Sequence, residues 1–150
     1  MPRGGLFDSR REAQLELERR HAALAAEFDL DVPRNRLYVG NADYEAKTNN
    51  FVAVVDLRTN RVIKKIATPS NSRPKVDPTT GRIWANSFDT GKISIIDPVS
   101  LQIVTTIDTR TTPSKIAIDA QRRRVYAANL QKKSITVISA DSGAILATVP

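Results

Sequence analysis

Three times the chain spells an apolar residue, Asp, four variable residues, Arg, an aliphatic residue and an aromatic one. The copies are Leu30-Asp31…Arg36-Leu37-Tyr38, Val76-Asp77…Arg82-Ile83-Trp84 and Ile118-Asp119…Arg124-Val125-Tyr126. The aspartates stand 46 and 42 residues apart, and the aromatics repeat the same spacings. Self-similarity at such a period marks a repeat architecture, in which each unit buries its apolar face only against a neighbouring unit. A second block follows each copy: Val52-Ala53-Val54-Val55-Asp56, Ile93-Ser94-Ile95-Ile96-Asp97 and Ile135-Thr136-Val137-Ile138-Ser139. A third begins five residues later: Arg61–Ile66, Gln102–Ile107 and Ala144–Val149. The extra length of the first copy is confined to Asp43-Tyr44-Glu45-Ala46-Lys47. Repeats tolerate insertions in one loop of this kind.

Each unit reads as four short strands, rich in Val, Ile and Thr and bounded by Asp, Asn, Gly, Pro and Ser. The first strands are Glu27–Leu30, Arg73–Val76 and Ser114–Ile118, and the second carry Tyr38, Trp84 and Tyr126. Pro74 makes its strand the weakest of these, because proline cannot donate to a ladder. Asp56 and Asp97 precede four-residue connections, where a carboxylate can accept backbone N–H bonds and hold a turn. No helical stretch separates the strands, so a parallel sheet is excluded. A β-sandwich would explain the strand density but not the repeated block order. Four antiparallel strands in a unit of roughly 40–45 residues describe one propeller blade. The chain is therefore expected to be all-β: a partial β-propeller of three four-stranded blades, over 27–68, 69–111 and 112–150.

One N-terminal α-helix is expected within residues 1–26. Ser9 to Ala26 lack Gly and Pro, Ser9 with Glu12 fits a capping box, and Ala13, Leu17, Leu24 and Phe28 form one stripe. Such a stripe points to packing on the propeller, with a partner-binding helix as the alternative. A closed ring usually needs four to eight blades. Three blades leave apolar faces open, which predicts self-association or further blades to close the ring.

The block Leu37-Tyr38-Val39-Gly40-Asn41, followed by an apolar strand ending in Asp56, resembles the YVTN β-propeller repeat family. Ile83-Trp84-Ala85-Asn86 and Val125-Tyr126-Ala127-Ala128-Asn129 resemble degenerate copies, and Ile93-Ser94-Ile95-Ile96-Asp97-Pro98 resembles the family's V-x-V-I-D block. The long first-blade loop is similar to that of the YncE-like branch. This resemblance covers residues 27 to 150 and implies a bacterial propeller. It spans surface proteins, nucleic-acid binders and lactonase-like enzymes, and the branch's association with DNA favours nucleic acid here.

The net charge of +7 is unevenly placed. Residues 1–31 carry five Arg against seven acids, and residues 32–150 carry eighteen Lys or Arg against nine acids. A basic surface of this kind suits nucleic acid or another polyanion, or an acidic protein partner. Arg34, Arg36, Arg58, Arg61, Arg82, Arg122, Arg123 and Arg124 fall toward the face holding the first-to-second and third-to-fourth strand turns. Lys47 falls toward the opposite face, as do the six candidate nucleic-acid-binding residues, Arg73, Lys92, Arg110, Lys115, Lys132 and Lys133. Aromatics for base stacking are few there, with Phe88 beside Lys92 and Tyr44 in the long loop.

No catalytic constellation is evident, and the chain reads as a non-enzyme without a cofactor or metal. The absence of Cys excludes disulfides, thiolate metal sites and a cysteine nucleophile. His21 is the only histidine and falls in the expected helix. Asp31, Asp77 and Asp119 could in principle do acid–base work or bind Ca²⁺. Because Arg36, Arg82 and Arg124 recur in step with them, pairing across the first hairpin turn is the simpler expectation. A protein-interaction scaffold of the cell surface or envelope and a fragment of a lactonase-like enzyme are the alternatives. No stretch approaches a membrane span, and Met1 to Asp8 lack the apolar core of a signal peptide. The expectation is a cytoplasmic protein as the chain stands, and a periplasmic or secreted one if the true N-terminus is missing.

Overall fold

The computed structural model describes residues 27–41 and 50–150. The expected N-terminal helix, and the long loop with Tyr44 and Lys47, lie outside the described residues. Twelve strands follow in chain order: β1 (Glu27–Asp31), β2 (Arg36–Gly40), β3 (Phe51–Asp56), β4 (Arg61–Ala67), β5 (Ser72–Val76), β6 (Ile83–Ser87), β7 (Lys92–Ile96), β8 (Ile103–Asp108), β9 (Pro113–Asp119), β10 (Arg124–Asn129), β11 (Ser134–Ser139) and β12 (Ile145–Val149). They form three separate antiparallel sheets, β1-β2-β3-β4, β5-β6-β7-β8 and β9-β10-β11-β12, each pairing its strands in chain order. These are the three expected blades.

The repeat extends to backbone detail. Asn35, Gly81 and Arg123 occupy the same place in the first hairpin of each blade, and all three have positive φ. Asn60, Leu101 and Gly143 do the same in the third hairpin. Past each of the latter, the ladder slips at Val54/Val55, Ile95/Ile96 and Val137/Ile138. A left-handed residue closing a turn next to a bulge re-aims the outgoing strand, and each blade uses the device at the same point. Asp56 caps its turn through Arg58 N–H (2.8 Å), and Asp97 accepts from Val99 N–H (2.9 Å) and Ser100 N–H (2.7 Å). Pro74 sits in β5, which pairs only with β6, so its missing donor falls on an unpaired strand edge.

The core lies between blades rather than within them. Tyr38, Val52, Val54 and Ile66 of blade 1 pack against Val76, Ile83, Ala85 and Ile96 of blade 2. Trp84, Ile93, Ile95 and Ile107 of blade 2 pack against Val125, Ala127 and Ile138 of blade 3. Alternation along each strand sends one set of side chains forward and the other back, so a middle blade is buried on both faces. The fourth strands stay mostly exposed, which puts them at the outside. Tyr38 and Trp84, at equivalent positions, are fully buried as packing residues.

Gly40 sets the approach of the first two blades. A methyl group there would overlap the Ser72 carbonyl and lie 3.1 Å from Pro74 Cδ. Gly40→Ala is expected to force blades 1 and 2 apart and lower stability by about 1–3 kcal/mol, as overpacking against backbone does. The midpoint and slope of urea unfolding read the effect.

One expectation is corrected. The repeated arginines and aspartates are backbone partners across the turn, but their side chains do not pair with one another. Asp31 instead takes Arg34 (3.2 Å), Asp119 takes Arg122 (3.0 Å), and Asp77 takes Arg123 of the next blade (3.0 Å). Arg36 donates to the Pro98 carbonyl in blade 2, and Arg82 to the Asp141 carbonyl in blade 3 (3.4 Å). The reason is geometric. Arg36 and Arg82 stand at the start of the second strand, and their long side chains reach the next blade's third hairpin turn rather than folding back.

Candidate anion-binding face

The loops joining second to third strands, and those joining blade to blade, meet at one end of the sheets. In blades 2 and 3 these loops are tied together by short polar side chains. Thr109 donates from both its N–H (2.9 Å) and its hydroxyl (2.7 Å) to the Gly91 carbonyl. Thr111 Oγ1 donates to Thr109 Oγ1 (2.8 Å) and lies 2.7 Å from Asn129 Oδ1. Asn129 Nδ2 in turn donates to Ser134 Oγ (3.2 Å) and Thr136 Oγ1 (2.9 Å). Asn86 Nδ2 donates to the Pro113 carbonyl at 2.8 Å. Asn86, Thr109 and Asn129 are buried, so this network is a dry, partnered scaffold rather than a wet loop cluster. Gly91 has φ +70 and no room for a Cβ against the Thr111 carbonyl, so only glycine lets the two loops touch.

The cations stand on this scaffold. Lys92 opens β7, Arg110 occupies the blade 2–3 connection at φ 53, and Lys132 and Lys133 fill the β10–β11 turn, with Lys133 at φ 46. All four are exposed, and their side chains make no ion pair or hydrogen bond among the described residues. Asp89 and Asp108 share this end, with Asp108 opposite Lys92 in the ladder, so the balance is positive but not exclusively so. The two remaining candidates are placed differently. Arg73, in β5, donates to the Ser114 carbonyl (2.9 Å) and approaches Glu27 (3.8 Å), so it ties the three first strands together. Lys115 is exposed on β9 at the position equivalent to Arg73, beside the scaffold. Phe88 is half-buried, and Leu130 is exposed next to the β10–β11 lysines. Such a surface offers point charges and a little apolar area, which is the chemistry of backbone-phosphate or carboxylate contacts.

The opposite end has a different character. A cleft of about 660 Å³ is lined by Asp29, Leu30, Asp31, Lys75, Asp77 and Ile118, among others. Its carboxylates are engaged. Asp29 accepts from Val76 N–H (2.8 Å) and pairs with Lys75 (3.5 Å). Asp77 is fully buried and accepts from Thr79 N–H, Thr80 Oγ1 and both terminal nitrogens of Arg123. Burial pushes the Asp77 carboxyl up, but the bonds from Arg123, Thr79 and Thr80 outweigh it and hold it below the usual carboxylate range. Carboxylates satisfied in this way fasten one blade to the next. Among the described residues, no group of three or more His, Cys, Asp or Glu is arranged to hold a metal. No helix among them is long and apolar enough to cross a membrane.

Sequence reading missed the scaffold and the blade-to-blade arginines. The asparagines closing the second strands, Asn86 and Asn129, were the available signal for the first. Their role depends on Pro113 and Thr111 after the second blade, partners that lie 27 and 18 residues away.

Comparison with known proteins agrees with the fold. No protein-family model matches the chain. Over 83 residues, 55% of the chain, it is 31% identical to the uncharacterized protein YncE of Salmonella typhi, and equally to that of Salmonella typhimurium. The chain matches 24% of the length of these curated relatives. The hydrazine synthase of Kuenenia stuttgartiensis superposes on 84% of the chain with a TM-score of 0.71 at 18% identity, the match covering 35% of that structure. The β-propeller domain of Cps50 (Swd1) from Myceliophteria thermophila also superposes on 84%, with a TM-score of 0.68 at 12% identity, covering 39% of that domain. At such identities these structures speak to fold alone. The blades are those of a β-propeller, and the repeat is YncE-like.

Proposed function

We propose that the chain is a non-catalytic β-propeller module that binds single-stranded nucleic acid, or another polyanion, through the loop end of blades 2 and 3. The observation that carries this reading is the set Lys92, Arg110, Lys132 and Lys133. They are exposed, lack ion-pair partners among the described residues, and stand on loops locked by the buried threonine–asparagine network. Fixed loops hold the charges in register, so little ordering entropy is lost when a phosphate chain lies across them. Contacts of this kind neutralise phosphates and release counterions without reading sequence.

The test is salt-dependent binding of labelled single-stranded DNA. Log affinity should fall linearly with log salt concentration. Lys132→Ala/Lys133→Ala should reduce the magnitude of that slope by about 1.4, the value for two lost phosphate contacts on a single strand. Salt-independent binding, or none in low salt, would sink the proposal. Leu130, 66% exposed between blade core and lysines, favours a second reading in which an acidic protein segment docks on this same end. A partner captured without nucleic acid, and displaced by Leu130→Asp, would support that reading instead.

A further inference from the structure

The two joints between blades differ at one repeat-equivalent position. Where blade 3 carries Arg123, blade 2 carries Gly81, at φ +74. In the blade 2–3 joint all three side-chain nitrogens of Arg123 are engaged, Nε with Asp141 and both Nη with the buried Asp77. In the blade 1–2 joint no side chain leaves Gly81, and the Arg34 guanidinium of blade 1 lies over it instead. A Cβ on Gly81 would overlap that group, standing 2.8 Å from Cζ and 3.1 Å from Nη2. Asp31, buried at the end of β1, anchors Arg34 by accepting from its backbone N–H (3.3 Å) and from Nη1 (3.2 Å). Nε and Nη2 of Arg34 make no hydrogen bond among the described residues, and the side chain is 35% exposed.

This half-engaged guanidinium lines the cleft of about 660 Å³. The walls come from β1, β5, their hairpin turns and Ile118 of β9, so the cleft is formed within the described blades. Val32, Pro33, Pro78 and Ile118 make part of its lining apolar, and Lys75 adds a second cation. A volume of this size, apolar with a few convergent polar groups, suits a small organic ligand. Asp29, Asp31 and Asp77 line it too, but each already accepts from a backbone N–H and holds a cation. What the cleft offers a ligand is therefore the open edge of one planar guanidinium, an ammonium and an apolar wall.

We propose that this cleft binds a small organic molecule through a single carboxylate. Nε and Nη2 of Arg34 donate to the carboxylate, and the apolar body of the ligand lies against Ile118 and the two prolines. The fork geometry of a guanidinium matches a carboxylate, and Asp31 and Gly81 hold it in place before the ligand arrives. Lys75, 3.5 Å from Asp29, adds charge without fixing direction. A singly charged head fits better than a phosphate, because a second negative charge would stand among three carboxylates.

The test uses benzoate as the probe, titrated into the nitrogen-15-labelled 150-residue chain and followed by amide shifts in NMR spectra. Binding should saturate with a Kd on the order of 1 mM, as expected for a ligand of about ten heavy atoms. The shifts should centre on the amides of Arg34, Thr79, Thr80 and Gly81. Benzamide, of the same shape without the charge, should bind at least about tenfold more weakly. Arg34→Gln should weaken benzoate binding by roughly tenfold or more. Arg34→Lys keeps a charge beside Asp31 but loses the fork, and should weaken it by about fivefold. The emission of Trp84, the only tryptophan and buried in the blade 2–3 joint, shows that each variant remains folded. No saturable binding in the millimolar range, or full affinity in a folded Arg34→Gln variant, would overturn the proposal. So would equal binding of benzamide, tighter binding of phenyl phosphate, or shifts confined to the lysine loops of blades 2 and 3.

Discussion

Trp84→Ala should lower the stability of the chain by about 3–5 kcal/mol, the range for emptying a buried aromatic site. Trp84 is fully buried where blade 2 meets blade 3, among Ile93, Ile95, Ile107 and Val125. The same substitution at the repeat-equivalent Tyr126 should cost less than half as much, because that ring is only half-buried among the described residues. Urea unfolding of both variants, followed by far-UV circular dichroism, reads the contrast. Equal losses would mean that the joints are not the main source of stability.

Asp77→Asn should have the second-largest effect, with a pH signature. The change keeps the shape of the side chain but removes the charge that holds Arg123 across the blade 2–3 joint. Breaking a pair at a fully buried carboxylate should cost about 3 kcal/mol at pH 7, the low end for such pairs because Arg123 is 19% exposed. The folded-state carboxyl lies below its ordinary value of 3.8, despite burial, because Arg123, Thr79 and Thr80 bond to its charged form. A depressed acid contributes stability that is fully present above its unfolded value and is lost as pH falls through the lower folded one. The gap between wild type and Asp77→Asn should therefore hold from neutral pH down to about 5 and close progressively below 4. A gap unchanged at pH 3 would show that Asp77 acts there by shape rather than charge. Arg123→Ala should reproduce part of the loss, since Arg123 also reaches Asp141 at 2.9 Å.

The fold was legible because a blade announces itself locally. Period-2 strands, Asp-led turns and an aromatic at fixed spacing all lie within one unit, and the unit is copied. The turn role of Asp56 and Asp97 could be read in the same way, since donor and acceptor lie two or three residues apart. The partner of the repeated arginines was not legible. Arg36 and Pro98 are 62 residues apart, and Arg82 and Asp141 are 59 apart. Asp31 and Arg36 are register partners across their hairpin, yet Asp31 pairs with Arg34 and Arg36 donates to Pro98 of the next blade. Of the candidate site, the exposure of Lys92, Arg110, Lys132 and Lys133 followed from their loop positions. The engagement of Arg73 with Ser114 did not, because it needs the spacing of neighbouring blades.

By itself, the sequence determined the repeat, its four antiparallel strands and the alternation that makes each blade apolar on both faces. Those properties depend on contacts a few residues apart, where φ/ψ preference and side-chain period decide the outcome. Only the tertiary structure decided which cation stands free and which is used up in a joint. A side chain's partner across a blade boundary depends on how two sheets stack, and no local pattern encodes that distance. The same stacking buries Trp84 at a blade boundary while the repeat-equivalent Tyr126 is only half-buried among the described residues.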